Sequence, residues 1–183
     1  MECTFCLRKN APGVAGSPSL WLEREPAVDE IKADLDAHAP LGRFKELVFC
    51  GYGEPTVRLE ELLEAARYAK SIAPGLKVRV NTNGLADLVH GKRVAPLFAG
   101  VVDVVSVSLN TSDPVRYLDM CRPRFGASAY PAMLAFTREC AEYVPEVVMT
   151  VVGEPVTDAA EQERCRKIAE ACSARLRIRA YEG

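Results

Sequence analysis

The sequence lacks the features that would assign it to a membrane, secreted or nucleic-acid-binding class. No apolar run approaches the ~18 residues needed to cross a bilayer. The first six residues have neither the basic nor the apolar segment of a signal peptide. An excess of positive charge is also missing, because 23 basic and 25 acidic side chains give a formal charge of −2. We therefore expect a cytoplasmic protein that acts on small molecules, with no nucleic-acid or membrane partner.

The cysteine count argues against a disulfide framework. Seven cysteines cannot all pair within one chain, and a reducing compartment keeps them as thiols, metal ligands or core residues. They stand at positions 3, 6, 50, 121, 140, 165 and 172.

The chain alternates predicted strands with predicted helices, and no linker divides it. Its 183 residues fit a single domain, residues 1–183. The valine-rich strands show no clean alternation, so we expect both faces of the sheet to be covered. This pattern predicts an α/β fold with a parallel sheet. The predicted strands are Leu47–Cys50, Leu76–Val80, Val102–Leu109, Val147–Val152 and Leu176–Ala180; helices are predicted near Val28–Leu35, Leu59–Ala66, Leu85–Phe98, Pro114–Met120, Tyr130–Tyr143 and Asp158–Cys172.

The start of the chain departs from this repeat. A loop and a helix come first, where the repeat would place a strand. In βα enzymes the chemistry lies on loops after the carboxyl ends of strands. Cys3 and Cys6 therefore look like such a loop without its strand, and we expect the first strand to be missing from this sequence.

Three motifs carry candidate chemistry. Cys3 and Cys6 place two thiolates within reach of one metal or cluster, although a redox pair or two core cysteines would give the same spacing. The loop Gly51–Pro55 follows a strand, where glycines allow a ligand to approach the backbone; the alternative is a simple turn in which Glu54 offsets a helix dipole. Polar residues also end two strands, at Asn81–Gly84 and Ser106–Asn110, where they either bind a ligand or shape turns.

Taken together, these motifs resemble the radical S-adenosylmethionine (SAM) superfamily, and most closely its members associated with TatD-type nucleases. The resemblance covers nearly the whole chain. It rests on Cys3–Cys6 with the aromatic Phe5, Gly51–Thr56, Asn81–Gly84, Ser106–Asn110 and Cys121–Gly126.

The resemblance implies a partial (βα)6 TIM-like barrel and a [4Fe–4S] cluster held by three cysteines. Cys3 and Cys6 match the second and third cysteines of the family pattern, and the first, four residues before Cys3, is absent. The family cleaves SAM reductively and forms a 5′-deoxyadenosyl radical, which abstracts hydrogen from a substrate. The substrate here is unknown, and an electron donor such as flavodoxin or ferredoxin is implied.

The resemblance also assigns cofactor-binding residues. Gly53 and Glu54 match a Gly-Gly-Glu motif whose backbone meets the SAM amine, with Tyr52 in place of the first glycine. Ser108 and Asn110 match positions that bind the ribose or carboxylate, and Thr150 would line the adenine pocket or simply fill the core. The full predicted set is Gly51, Tyr52, Gly53, Glu54, Asn81, Thr82, Asn83, Ser108, Asn110 and Thr150.

Other residues receive weaker predictions. Arg122 and Arg124, after the strand Val102–Leu109, suit an anionic substrate, unless they form only an exposed basic turn. We expect Cys50 to be a small buried thiol. Helical spacing places Cys165 and Cys172 in the core. Neither His38 nor His90 is expected to be catalytic, and Trp21 and Cys140 carry no specific signal.

Two other functions stay open. An ordinary βα-barrel enzyme with a phosphate-bearing substrate would use the Gly51 loop but leaves Cys3 and Cys6 unexplained. The other is a truncated or degenerate barrel that binds SAM, a partner or zinc without catalysis, and the missing cysteine keeps that alternative open.

Overall fold

The structure, a computed structural model, describes residues 1, 3, 4, 6 and 21–181. Phe5 and the Pro- and Gly-rich stretch 9–19 lie outside the described residues. Within the described part, no helix is long and apolar enough to cross a membrane.

A single five-stranded sheet organises the described chain. All its neighbouring strands pair in parallel and follow the order of the sequence, β1-β2-β3-β4-β5. This confirms the predicted α/β class. The strands are β1 Glu46–Phe49, β2 Lys77–Thr82, β3 Val104–Ser108, β4 Glu146–Val152 and β5 Arg175–Arg179.

Helices connect the strands, as the repeat predicts. The α-helices are α1 Val28–Ala37, α2 Leu59–Ile72, α3 Ala86–His90, α4 Pro114–Cys121, α5 Ala129–Tyr143 and α6 Ala159–Ala171. Short 3-10 helices cover Leu41–Arg43, Pro55–Arg58, Ala95–Phe98 and Gly126–Ser128.

One helix prediction is wrong. The single helix expected near Leu85–Phe98 is split into α3 and a separate 3-10 helix. Gly91 ends α3 in the left-handed conformation with φ 62°, which favours glycine. The second piece then begins with Pro96 in its first turn, where the missing amide costs nothing.

The hydrophobic core lies between one face of the sheet and the helices. Alternate strand residues such as Val78, Val80, Val105 and Met149 point into it and are fully buried. Helix α2 meets them with Leu59, Leu62, Leu63 and Ala66, which the 3.6-residue period places on one stripe.

The opposite face of the sheet carries most of the polar strand residues. The central strands β3 and β4 are buried at nearly every position, as expected for strands covered on both faces, whereas the outer strands β2 and β5 depart from that expectation. In strand β2, every second residue is buried and the residues between them are exposed or half-buried. In β5, every second residue is an arginine. Residues paired in register share a face, so these polar residues form one surface. We call it the polar face; it consists of Glu46, Val48, Lys77, Arg79, Asn81, Val104, Ser106, Ser108, Glu146, Val148, Thr150, Val152, Arg175, Arg177 and Arg179.

Gly84, just after β2, occupies a position that only glycine fits. Its φ is 75°, and a Cβ there would lie 2.8 Å from both Met133 Cγ and Val107 Cγ1. Overpacking and left-handed strain together cost about 2–4 kcal/mol. We expect Gly84→Ala to lower the melting temperature by about 5–10 °C in a thermal unfolding scan. Gly75→Ala, where nothing lies within 4 Å, is the matched control and should leave it unchanged.

Candidate functional site

The Glu54 carboxylate joins the loop after β1 to the end of β2. Its Oε1 accepts hydrogen bonds from Thr56 Oγ1 and Thr82 Oγ1, both at 2.7 Å, and from the Thr56 amide at 3.2 Å. Its Oε2 accepts the Asn83 amide at 2.7 Å. Four donors on one carboxylate make a strong, charge-assisted anchor. Glu54 therefore fixes the shape of the loop with its side chain.

This use of Glu54 leaves the loop backbone facing outward. Gly51 and Gly53 are exposed, and Gly51 has φ 137°, which other residues rarely adopt. Tyr52, which replaces the first glycine of the family motif, packs edge-on against Trp21 with ring centroids 5.5 Å apart. Sequence analysis assigned Trp21 no role. Its contact with Tyr52 joins residues 31 positions apart, and such a contact leaves no local sequence pattern.

A small cavity lies beside the Glu54 anchor. It has a volume of about 90 Å³ and is lined by Met1, Glu54, Val57, Asn83, Leu85, Val89, Arg124 and Phe125. Arg124 stacks on the neighbouring aromatic ring, with its Cζ 4.6 Å from the centroid of Phe125. Arg124 is therefore brought to the loop. Arg122, by contrast, is exposed at the end of α4 with φ 44° and does not line this cavity.

The three predicted residues at the end of β2 take different roles. Thr82 is buried, and its hydroxyl donates to Glu54 and accepts the Gly84 amide at 3.1 Å. Asn83 uses its Oδ1 to accept the Leu85 amide at 2.9 Å. Asn81 alone is exposed on the polar face. Thr82 and Asn83 therefore shape the Glu54 loop, whereas the Asn81 side chain is exposed on the polar face.

Cys3 and Cys6 belong to one turn, in which the Cys6 amide donates to the Cys3 carbonyl at 3.3 Å. The Thr4 amide fixes this turn to α4 by donating to the Met120 carbonyl at 2.9 Å. The Cys3 thiol lies 3.9 Å from the Cys121 carbonyl oxygen. The opening turn is thus docked on the helix that follows β3.

Tyr117 links this turn to the Glu54 loop. Burial raises the pKa of Tyr117 above its usual range, and the nearby Cys121, Cys3 and Glu54 raise it further. Met1 and Glu54 line the same small cavity, and the Thr4 amide docks the opening turn on α4, so the opening residues lie at the same end of the sheet as the Glu54 loop.

Asn110, just after β3, holds an unused acceptor at this end. The residue is 2% exposed and has φ 66°. Its Nδ2 donates to Cys121 Sγ at 3.2 Å, while its buried Oδ1 has no partner among the described residues. A buried polar atom without a partner costs about 1–3 kcal/mol. Asn110 is therefore positioned to accept a hydrogen bond from a ligand.

Ser108 and Thr150 are neighbours on the polar face, paired in register across β3 and β4. Thr150 is 3% exposed and Ser108 is half-buried. Neither hydroxyl makes a side-chain hydrogen bond within the part of the chain that the structure describes. Both are available to a ligand.

A second buried carboxylate, which the sequence analysis missed, holds the segment after Asn110. Glu161 on α6 accepts Thr111 Oγ1 and the Ser112 amide, both at 2.6 Å, and Arg164 Nη2 at 2.7 Å. Burial raises the pKa of Glu161, but these hydrogen bonds outweigh it and lower the pKa from its ordinary 4.5 to about 2. A glutamate among helix residues carries no sequence signal for this role.

The lowered pKa of Glu161 predicts acid sensitivity. The stability that the Glu161 carboxylate contributes is fully present above the unfolded value of 4.5 and is lost as the pH falls toward about 2. The difference between the unfolded and folded pKa values of Glu161 corresponds to a contribution on the order of 3 kcal/mol to the free energy of unfolding. We expect Glu161→Gln to be less stable than the parent at pH 7 by denaturant unfolding, and the two to converge near pH 2. A constant gap between them over this range would contradict the assignment.

The remaining cysteines differ in exposure, and His90 contacts the Glu54 loop. Cys50 is exposed, which corrects the expectation of a buried thiol; it lies just past the end of the short edge strand β1. Cys165 and Cys172 are buried in the core, as predicted, and Cys140 joins them. His90 contacts the Thr56 carbonyl at 2.7 Å, a structural contact.

The residues present meet only part of the demand of a [4Fe–4S] cluster. Cys3 and Cys6 offer two thiolates, and the described residues contain no group of three metal-binding side chains. Unused polar atoms are present at Asn110 Oδ1 and at the Ser108 and Thr150 hydroxyls, within the described part of the chain. This cysteine pair alone does not complete the ligand set of the cluster.

Comparison with known proteins decides the family. The family model described as the Radical SAM superfamily matches residues 1–170. The chain belongs to the radical SAM superfamily. Members of this superfamily use a [4Fe–4S] cluster and S-adenosylmethionine.

Two relatives illustrate the range of the likeness. The FeMo cofactor biosynthesis protein NifB of Azotobacter vinelandii is 30% identical over 140 residues, which are 73% of this chain and 24% of NifB. A radical SAM methyltransferase from Sphaerobacter thermophilus matches in structure with a TM-score of 0.63 and 20% identity, over 97% of this chain and 51% of that chain. The chain thus spans about a quarter of one relative and half of the other.

Proposed function

We propose that residues 1–183 form a radical SAM core domain, a partial TIM-like barrel of the type associated with TatD nucleases. The observation that carries the proposal is the position of the opening turn, with Met1 in the cavity beside Glu54, at the same end of the parallel sheet as the Glu54-anchored loop. The Cys121–Gly126 segment, which carries the TatD-type resemblance, adds Arg124 to the same cavity.

In this proposal the chain binds and orients SAM. The exposed backbone of Gly51–Glu54 receives the amine of SAM, and Asn110 Oδ1 accepts a hydrogen bond from its ribose or amine. The Ser108 hydroxyl contacts the ribose or carboxylate, and Thr150 lines the adenine pocket. Anchors at Glu54 and Glu161 keep these groups in place before SAM arrives, which lowers the entropic cost of binding.

A bound cluster would supply the electron for reductive cleavage of SAM, chemistry that in this superfamily removes a hydrogen atom from a substrate; the substrate here is unknown. Cys3 and Cys6 are the proposed cluster ligands. An electron donor such as flavodoxin or ferredoxin completes the system.

The test is SAM cleavage by the reconstituted chain. Iron and sulfide are added without oxygen, with 2-mercaptoethanol supplying a free thiolate, and the protein is reduced with dithionite in the presence of SAM. We expect 5′-deoxyadenosine and methionine in equal amounts by chromatography. Iron incorporation without either product would reject the enzymatic proposal.

One alternative function is a degenerate domain that binds SAM or zinc without catalysis, because the described residues bring no three metal-binding side chains together. That alternative predicts SAM binding in calorimetry, or one tightly held zinc by metal analysis, with no 5′-deoxyadenosine. The same preparation therefore separates the two functions.

The two arginines after α4 are expected to differ in their effect on substrate. Arg124 lines the cavity beside Glu54, whereas Arg122 does not, so Arg124→Ala should lower turnover of an anionic substrate about tenfold, through the loss of a charged hydrogen bond. Arg122→Ala is the matched control, with a smaller effect. Cleavage of SAM without substrate should be the same in both variants. Equal losses of turnover in the two variants would contradict the assignment of Arg124.

A further inference from the structure

A row of three polar residues crosses the polar face and extends past the proposed SAM contacts Ser108 and Thr150 to Arg177. The register pairs Ser108 on β3 with Thr150 on β4, and Thr150 with Arg177 on β5. Paired residues of neighbouring strands lie about 4.8 Å apart and point to the same side. Arg177 therefore extends the row of hydroxyls by one strand.

Ion pairs near the start of the strands confirm which side these residues occupy. Arg175 Nε donates to Glu146 Oε1 at 2.9 Å, and Arg79 Nε donates to Glu46 Oε2 at 2.9 Å. Arg79 also helps to lower the pKa of Glu146, after the larger effect of the Arg175 hydrogen bond. Strands β1, β2, β4 and β5 thus direct these residues to one common face.

Arg177 differs from these arginines because its charge is not compensated. It is exposed and makes no side-chain hydrogen bond or ion pair within the described part of the chain. Thr150 on the neighbouring strand is nearly buried. The row therefore runs from Arg177 on the outer strand β5 of the described sheet to a buried position on β4.

The charges of the whole polar face also favour binding of an anion. Its strand residues include five basic side chains, at Lys77, Arg79, Arg175, Arg177 and Arg179, but only two acidic ones, at Glu46 and Glu146. The complete chain carries a net charge of −2. A positive face on an acidic chain attracts an anion.

We propose that Arg177, together with the Thr150 hydroxyl, binds a phosphoryl group of the substrate. The guanidinium offers a fork of donors that fits two oxygens of a tetrahedral anion, and the hydroxyl reaches a third. That this anion belongs to the substrate rests on the proposed function, whereas binding of the anion by Arg177 does not.

The test uses inorganic phosphate as the probe, on the chain without iron or SAM, by isothermal titration calorimetry. We expect saturable binding that Arg177→Gln weakens about tenfold, as expected for loss of a bidentate charged contact. Thr150→Val should weaken it about threefold. Arg67→Gln is the matched control, because Arg67 is exposed on α2, and it should bind like the parent. Circular dichroism checks that each variant is folded.

Three results would overturn the proposal. The first is equal phosphate binding by Arg177→Gln and Arg67→Gln, which would mean non-specific attraction. The second is tighter binding of citrate than of phosphate, which would assign the site to carboxylates. The third is a loss of SAM affinity in Arg177→Gln that is as large as its loss of phosphate affinity. That result would place Arg177 in the cofactor site. Failure of SAM cleavage leaves all these measurements unaffected, so the two proposals fail separately.

Discussion

Glu54→Gln is expected to weaken SAM binding by about tenfold or more and to destabilise the loop after β1. Glutamine keeps one oxygen for Thr56 and Thr82, but its amide nitrogen would face the Asn83 amide, donor against donor. The loss of a charge-assisted hydrogen bond costs about 1.5–3 kcal/mol, and 1.4 kcal/mol is a tenfold change in affinity. Calorimetric titration with SAM measures the effect.

The matched control for this variant is Glu60→Gln. Glu60 is exposed on the following helix, and its carboxylate lies 3.6 Å from Lys92, a surface pair of small energetic value. The SAM affinity of Glu60→Gln should equal that of the parent. If Glu54→Gln binds SAM as tightly as Glu60→Gln does, the anchor does not shape the site.

Cys3→Ala and Cys6→Ala are each expected to abolish cluster assembly. Each variant removes one of the two thiolates that the opening turn offers, and a cluster cannot be held by a single protein thiolate. After anaerobic reconstitution, iron and sulfide analysis should fall from about four of each per chain to background. The absorption of the cluster in visible light should disappear with them.

Cys50→Ala is the control for these variants. Cys50 is exposed and close in sequence to the Gly51 loop, so it is the natural competitor for a place at the cluster. We expect its iron content to match the parent. Loss of iron in Cys50→Ala, with retention in Cys3→Ala, would show that the ligands had been assigned wrongly.

The sequence predicted the sheet well because the evidence for it is local. Valine-rich runs and helical periodicity place all five strands, and Pro74-Gly75 marks the end of α2 at Ile72. The helix over Leu85–Phe98 was wrong because Gly91 breaks a pattern that remains apolar beyond it.

The site was predicted less completely than the fold. The motifs identify Glu54 and Asn110, but the roles of these residues depend on contacts across long stretches of chain. Glu54 reaches Asn83 over 29 residues, and Glu161 reaches Ser112 over 49. No sequence period links such positions. The polar face was missed for a related reason, since the arginines of β5 gain meaning only through their register with β4.

The most direct test of the account is electron paramagnetic resonance of the reduced, reconstituted chain before and after addition of SAM. If Cys3 and Cys6 hold the cluster beside the Glu54 loop, SAM should contact the cluster and the loop together. We then expect SAM to change the g values of the cluster signal in the parent, and to change them much less in Glu54→Gln. A signal that SAM leaves unchanged in the parent would contradict the account.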